Sequence, residues 1–152
     1  VLKWLIAAIA VLALAVPAAG LAGMTRDETS LLQEMNRVRA QHGLVPLRYD
    51  ARLERAARSH SREMITAGTF AHGAFANRMH KFAVHGRLAG ENLAWGTGYL
   101  ATPRGIVTAW LASPEHRANL LRASFSRVGI GSLVGSFLGN QGANVVTADF
   151  AG

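Results

Sequence analysis

The chain contains no cysteine. That excludes disulfides, a thiolate metal site, a cysteine nucleophile and a thiol for lipidation. Charged residues make up only 16% of the 152, and acidic ones are scarce, 9 Asp+Glu against 16 Lys+Arg. H-E-x-x-H, G-x-x-x-x-G-K-[ST], an EF-hand loop and G-x-S-x-G are all missing, which sets aside the chemistries those patterns serve. Internal repeats, linkers and low-complexity tracts are missing too. What is present is a chain half hydrophobic, with a net charge of +7 that is almost all arginine. The length suits one domain, and about 130 residues bury roughly two-thirds of their unfolded surface. The basic balance raises nucleic acid, anionic lipid or acidic polymer as partners.

Part of the apolar excess sits in residues 1–23. Lys3 precedes an apolar run from Trp4 to Val16, Pro17 breaks it, and small residues from Ala18 to Gly23 follow. Basic, then apolar, then small is the order of a signal peptide. Cleavage after Ala18 would place Val16 and Ala18 at the recognition positions; cleavage after Ala22 would use Gly20 and Ala22. The alternative is an uncleaved membrane anchor, because Trp4 to Thr25 is 22 uncharged residues. Either way residues 24–152 are expected as an exported domain, secreted or periplasmic. Without disulfides it must rely on packing, or on metal.

Periodicity predicts a helix from about Glu28 to His42, ended by Gly43 and Pro46. A second begins at the N-cap Asp50 and runs to Gly68, with Leu53, Ala56, Ala57, His60 and Met64 on its apolar face. Its opposite face carries Arg52, Arg55, Arg58 and Arg62; a solvated face is the default for such a stripe, a binding surface the alternative. Residues 69–101 read as irregular, punctuated by Gly73, Gly86, Gly90, Gly96 and Gly98, and hold half of the histidines. So long a stretch points to function. A helix from Pro103, capped by Thr102, and a short one restarted by Ser113 and Pro114 come next. Val128 to Leu138 is β-compatible, 139–142 a turn and Asn144 to Phe150 a closing strand. Helices first and strands last predict an α+β arrangement.

The candidate site is a set of His and Glu residues in or beside loops. His72 opens the irregular stretch, Glu91 lies in an otherwise apolar, glycine-flanked segment, and His116 begins the short helix. Two histidines and a carboxylate with an open position would suit zinc as Lewis acid and water activator; ordinary hydrogen-bonded histidines are the alternative. His60, on an apolar helix face, is expected as a core histidine, His42 at a helix C-terminus, and His80 and His85 in a basic loop. Residues 96–101 match a loose dinucleotide fingerprint, read as chance because no strand precedes it and no βαβ unit surrounds it.

Four segments in order carry a resemblance. They are Leu31-Leu32-Gln33-Glu34-Met35-Asn36-Arg37-Val38-Arg39 leading to Leu44-x-Pro46-Leu47-x-Tyr49-Asp50; Phe70-Ala71-His72; Gly90-Glu91-Asn92-Leu93-Ala94; and Trp110-x-x-Ser113-Pro114-Glu115-His116-Arg117-Ala118-Asn119-Leu120-Leu121. Together they resemble the CAP superfamily (cysteine-rich secretory proteins, antigen 5, pathogenesis-related 1; the SCP domain) in its compact bacterial form, over residues 28–151. The resemblance implies a three-layer α-β-α sandwich around an antiparallel sheet, in an exported protein. It also implies a cleft where two histidines and two acidic residues hold a divalent metal, usually zinc. Carried over, His72 and His116 are the histidines and Glu91 the first acid. The position of the second acid is Ser113, and Glu115 is the available substitute.

Three functions follow as expectations. The first is a non-enzymatic exported module, with metal on His72, His116 and Glu91, Asn92 and Trp95 lining the wall, and a lipid, sterol or cell-envelope component as ligand. The second is a zinc-dependent hydrolase of peptide or ester bonds with Glu91 as general base. The third is charge-driven binding to anionic membrane or envelope polymer through the arginine stripe. Nucleic-acid recognition is not expected, since no reader motif is present.

Overall fold

In a computed structural model the described residues are 23–152; the candidate targeting segment, all but Gly23, lies outside them. Helix α1 spans Arg26–Gln41. Thr25 starts it two residues earlier than periodicity suggests, because its side chain accepts from Glu28 N while Glu28 accepts from Thr25 N, a reciprocal capping box. Strand β1 is Arg48–Tyr49, and α2, Ala51–Ala67, begins at Asp50, which accepts from the amides of Arg52 and Leu53. Gly68 ends α2 in the left-handed conformation.

The stretch expected to be irregular is not. It contains α3 (Phe75–Lys81), β2 (Ala89–Gly96) and a 3₁₀ turn at Gly98–Ala101. Glycines at both ends of β2 hide a strand whose middle residues are buried on both faces, so no alternation marks it. A strand therefore does precede the loose dinucleotide pattern. It runs antiparallel to its partner, however, so there is still no βαβ unit. Helices α4 (Pro103–Ala112) and α5 (Pro114–Leu120) lie where proline and the Thr102 cap place them. Strands β3 (Arg127–Phe137) and β4 (Asn140–Ala151) form a hairpin. Its turn is Leu138-Gly139, both at positive φ, tighter than the four-residue turn the glycines suggest.

The sheet order is β1-β3-β4-β2. Its long strands are antiparallel, and the two-residue β1 adds a parallel edge, which makes the sheet mixed. Helices cover both faces, giving the α+β sandwich. On one face Val128, Ile130, Val146, Ala148 and Phe150 meet Leu31, Leu32 and Met35 of α1 and Ile106, Val107 and Trp110 of α4. On the other, α2 lies directly on β3. A Cβ on Gly129 would stand 1.9 Å from Glu54 N, and one on Gly131 2.4 Å from Arg58 N. Glycine at alternate positions of β3 lets a helix backbone reach a strand backbone.

Arg39 is wholly buried, with no carboxylate partner among the described residues. It donates to the carbonyls of Val45, Leu120, Arg122 and Phe125 and so ties the end of α1 to the segment after α5. Burial lowers its pKa. Carbonyls at the C-terminal end of α5 suit a cation. Among the described residues no helix is long and apolar enough to cross a membrane.

Candidate functional site

The site lies at the open edge of β2. That edge is closed to further pairing by side chains: Asn119 Nδ2 donates to Glu91 O (3.1 Å) and Trp110 Nε1 to Leu93 O (2.9 Å). The cleft beside it has a volume of about 310 Å³ and is lined by His72, Phe75, Gly90, Glu91, Glu115, His116 and Asn119. All three proposed metal ligands therefore border one space, with Glu115 beside them. A larger groove of about 440 Å³ between α4 and α5 is lined by Leu111, Ala112, Pro114, Arg117, Ala118 and Leu121. With one cation and no histidine or carboxylate it offers far less chemistry.

Glu91 is buried, and both its oxygens are engaged. Oε1 lies 2.7 Å from His72 Nδ1, and Oε2 pairs with Arg78 Nη2. Arg78 comes from α3 and also donates to the carbonyl of His72 at 3.3 Å. His60, on α2, holds the same loop from below: its Nε2 bonds Ala71 O at 2.9 Å and lies 3.9 Å from Glu91 Oε2. It is buried, as a core histidine should be. Gly73, at φ +58, turns the chain immediately after His72.

Directly across the β2–β4 pair from Glu91 is Asp149. It is wholly buried, and neither carboxylate oxygen has a hydrogen-bond partner among the described residues. Burial first, then the charge of Glu91, push its carboxyl well above the usual range, against the opposing pull of Arg78. Asp149 thus favours its neutral form. Burial, followed by the charge of His72, lowers the pKa of His116, while Glu115 acts the other way. A neutral imidazole at His116 keeps a lone pair for a ligand.

The two wall residues are placed elsewhere. Asn92 is buried toward the opposite face and donates to His116 O at 2.9 Å, with Asn119 Nδ2 3.1 Å from its Oδ1. It positions α5 on β2 rather than lining the cleft. Trp95 packs edge-on against Phe137, with ring centroids 5.5 Å apart, in the cluster under α2. The arginine stripe is also interrupted: Arg58 is held by Glu28 and Glu54, and Arg52 donates to Ala83 O. Arg78 and Asp149 escaped sequence reasoning. Asp149 carried a signal, as the only charged residue in the apolar run from Ala143 to Ala151.

These donors give a test of fit for a metal. With Nδ1 turned to Glu91, His72 presents Nε2 to the cleft, the arrangement in which a carboxylate orients a ligating histidine. Among the described residues, however, no three His, Asp or Glu side chains converge closely enough to hold an ion. His72 and His116 border the same cleft, with Glu91 behind His72, and among the described residues no third protein ligand converges with them. They do not fit a catalytic zinc, which takes three protein ligands.

The known proteins agree with this architecture. The sequence pattern of the cysteine-rich secretory protein family (CAP) matches residues 32–150. The uncharacterised protein YkwD of Bacillus subtilis is 34% identical over 109 residues, covering 68% of this chain and 41% of YkwD, so the chain spans about two-fifths of that relative. An outer surface protein of Borrelia burgdorferi superposes with a TM-score of 0.70 at 25% identity, covering 82% of this chain and 90% of that one. An extracellular SCP-domain protein of Bacillus anthracis does so at 0.64 and 27%, covering 84% and 44%. Capped helices, a mixed sheet between helical layers, the edge cleft and the matched pattern lead to one assignment: the chain belongs to the cysteine-rich secretory protein (CAP) family.

Proposed function

We propose that this CAP domain is exported and works as a non-enzymatic binding module whose edge cleft takes a divalent cation, zinc for preference, on His72 and His116. One observation carries the reading: Glu91 Oε1 lies 2.7 Å from His72 Nδ1, which reserves Nε2 for the cleft. Glu91 then orients His72 instead of ligating, and Glu115 supplies a carboxylate at the mouth. Water fills the remaining positions, where an oxygen of a lipid headgroup, sterol or cell-envelope component could replace it. Extracellular and outer-surface relatives support export.

The hydrolase alternative asks more of these residues. It needs a third protein ligand and a Glu91 free to take a proton, yet both Glu91 oxygens are already paired. Calorimetric titration of the exported protein with zinc tests the proposal. Saturable binding by the wild type, absent from a His72→Ala/His116→Ala variant that remains folded, is the expected result. No heat of binding from a folded wild type would sink it.

A further inference from the structure

One end of the sheet gathers cations around a single carboxylate side chain. Arg48, Arg127, Ala151 and Ala89 stand in one row across all four strands. Neighbouring strands lie about 4.8 Å apart, so Arg48 and Arg127 are like charges side by side, an arrangement that costs stability. Asp50, the cap of α2, is already committed to Arg127, at 2.7 Å. Arg48 has no such relief. It is exposed, and its side chain has no acidic partner among the described residues.

The segment after α3 adds more positive charge to this end. From Met64 to Gly90 the chain contains no Asp or Glu. Two guanidiniums clamp its last part: Arg52 Nη1 donates to Ala83 O at 3.2 Å, and Arg127 Nη2 donates to His85 O. Ala83 is held at φ +51, a left-handed conformation that alanine adopts only where its surroundings impose it. Gly86 sits so close that a Cβ on it would stand 2.7 Å from Gly152 O and 3.2 Å from Arg127 Nη2. Lys81 and Arg87 lie on either side of the clamp, both exposed and both without an acidic partner among the described residues. Six residues of chain keep them within about 20 Å of each other.

We propose that Arg48, Arg52, Lys81 and Arg87, set around the Arg127 clamp, form a docking surface for a linear acidic polymer with repeating phosphates. Three of the four are arginine, whose planar fork matches two phosphate oxygens at once. The clamp fixes the backbone that carries Lys81 and Arg87, which lowers the cost of ordering them on binding. A bilayer would also need apolar side chains to insert. Those are at the opposite end of the sheet, where Gly96, Asn144 and Val134 share a row and Tyr99, Leu100, Val134 and Leu138 are all exposed. The surface is not the stripe along α2, of which only Arg52 belongs to it, and it is independent of the cleft.

The test is calorimetric titration of the exported protein with long-chain inorganic polyphosphate over a range of salt concentrations. Arg48→Gln/Lys81→Gln/Arg87→Gln removes three cations that hold no carboxylate in the fold. Arg26→Gln/Arg62→Gln/Arg104→Gln removes three exposed cations elsewhere and leaves the same net charge. The wild type should bind saturably and weaken steeply with salt. The first variant should bind about 10-fold or more weakly with a flatter salt dependence, since each lost phosphate contact releases fewer counterions, while the second stays within about 2-fold of wild type. Equal losses in the two variants would reduce the effect to net charge and overturn the proposal, as would no binding by a folded wild type. Vesicles of phosphatidylglycerol test the other class of partner: tighter binding to them than to polyphosphate, lost in the first variant, would overturn the polymer in favour of a bilayer.

Discussion

The two faces of the sheet differ in how much polar chemistry they bury. Toward α1 and α4 the strands present Val128, Ile130, Val146, Ala148 and Phe150, all buried and all hydrocarbon. Toward α2 and α3 the sheet presents Glu91, Thr147 and Asp149 beneath His60, Ser61 and Arg78, beside a smaller apolar cluster of Leu93, Phe137 and Val145. Alternation along a strand makes both possible, since successive side chains of β4 point to opposite layers. The apolar face holds the fold by area removed from water. The polar face spends part of that stability to hold Glu91 between His72 and Arg78 and to bury Asp149. Both the candidate cleft and the buried carboxylates therefore depend on the layer that contributes least to hydrophobic burial.

Variants can break this contrast. The largest effect belongs to the apolar face. Trp110→Ala removes a fully buried ring and the donor to Leu93 O, and should cost about 3–5 kcal/mol in urea unfolding. Arg39→Met strips four carbonyls of their shared donor beneath that layer, and a loss of about 3 kcal/mol is expected from the same measurement. On the polar face Arg78→Met leaves Glu91 with His72 as its close partner. The expected cost is about 2 kcal/mol, with weakened zinc binding as the mark that separates it from the first two.

The smallest effect has a pH signature. Asp149 has a raised pKa, so the folded state binds a proton that the unfolded chain releases, and stability falls as pH rises from the ordinary aspartate value toward the folded one. Asp149→Asn should flatten that decline and change stability at low pH by under about 1 kcal/mol. Glu28 behaves oppositely. Burial alone would raise its pKa, but bonds from Arg58, Thr25 and Ser132 outweigh it and lower the net value. Its contribution is present above the unfolded glutamate value and is lost as pH falls through the folded one. Urea titrations across pH on the wild type and Asp149→Asn would separate the two slopes.

Much of the fold was legible in the sequence because it is encoded locally. Asp50 and Gly68 bracket α2, Pro103 and Pro114 open α4 and α5, and glycines mark the hairpin. Strand β2 was hidden because burial on both faces erases the period of two, and α3 because seven residues between glycines give periodicity too little length. Strand β1 is held by tertiary contact, with Asn36 bonding both the amide and the carbonyl of Leu47 just before it. At the site, His72, Glu91 and His116 stood out as His and Glu residues in or beside loops, and the family's motifs pointed to the same three. Their partners Arg78 and Asp149 were not, because pairing across a sheet and across a helix leaves no mark in sequence spacing.

The central claim is that Glu91 orients His72 and does not itself hold the ion. Zinc calorimetry of Glu91→Gln beside His72→Ala tests it most directly, each variant first confirmed as folded. The account predicts that Glu91→Gln still binds saturably but about 10–100-fold more weakly, as loss of an orienting partner does, while His72→Ala abolishes binding. Equal abolition in both variants would make Glu91 a ligand and contradict the account.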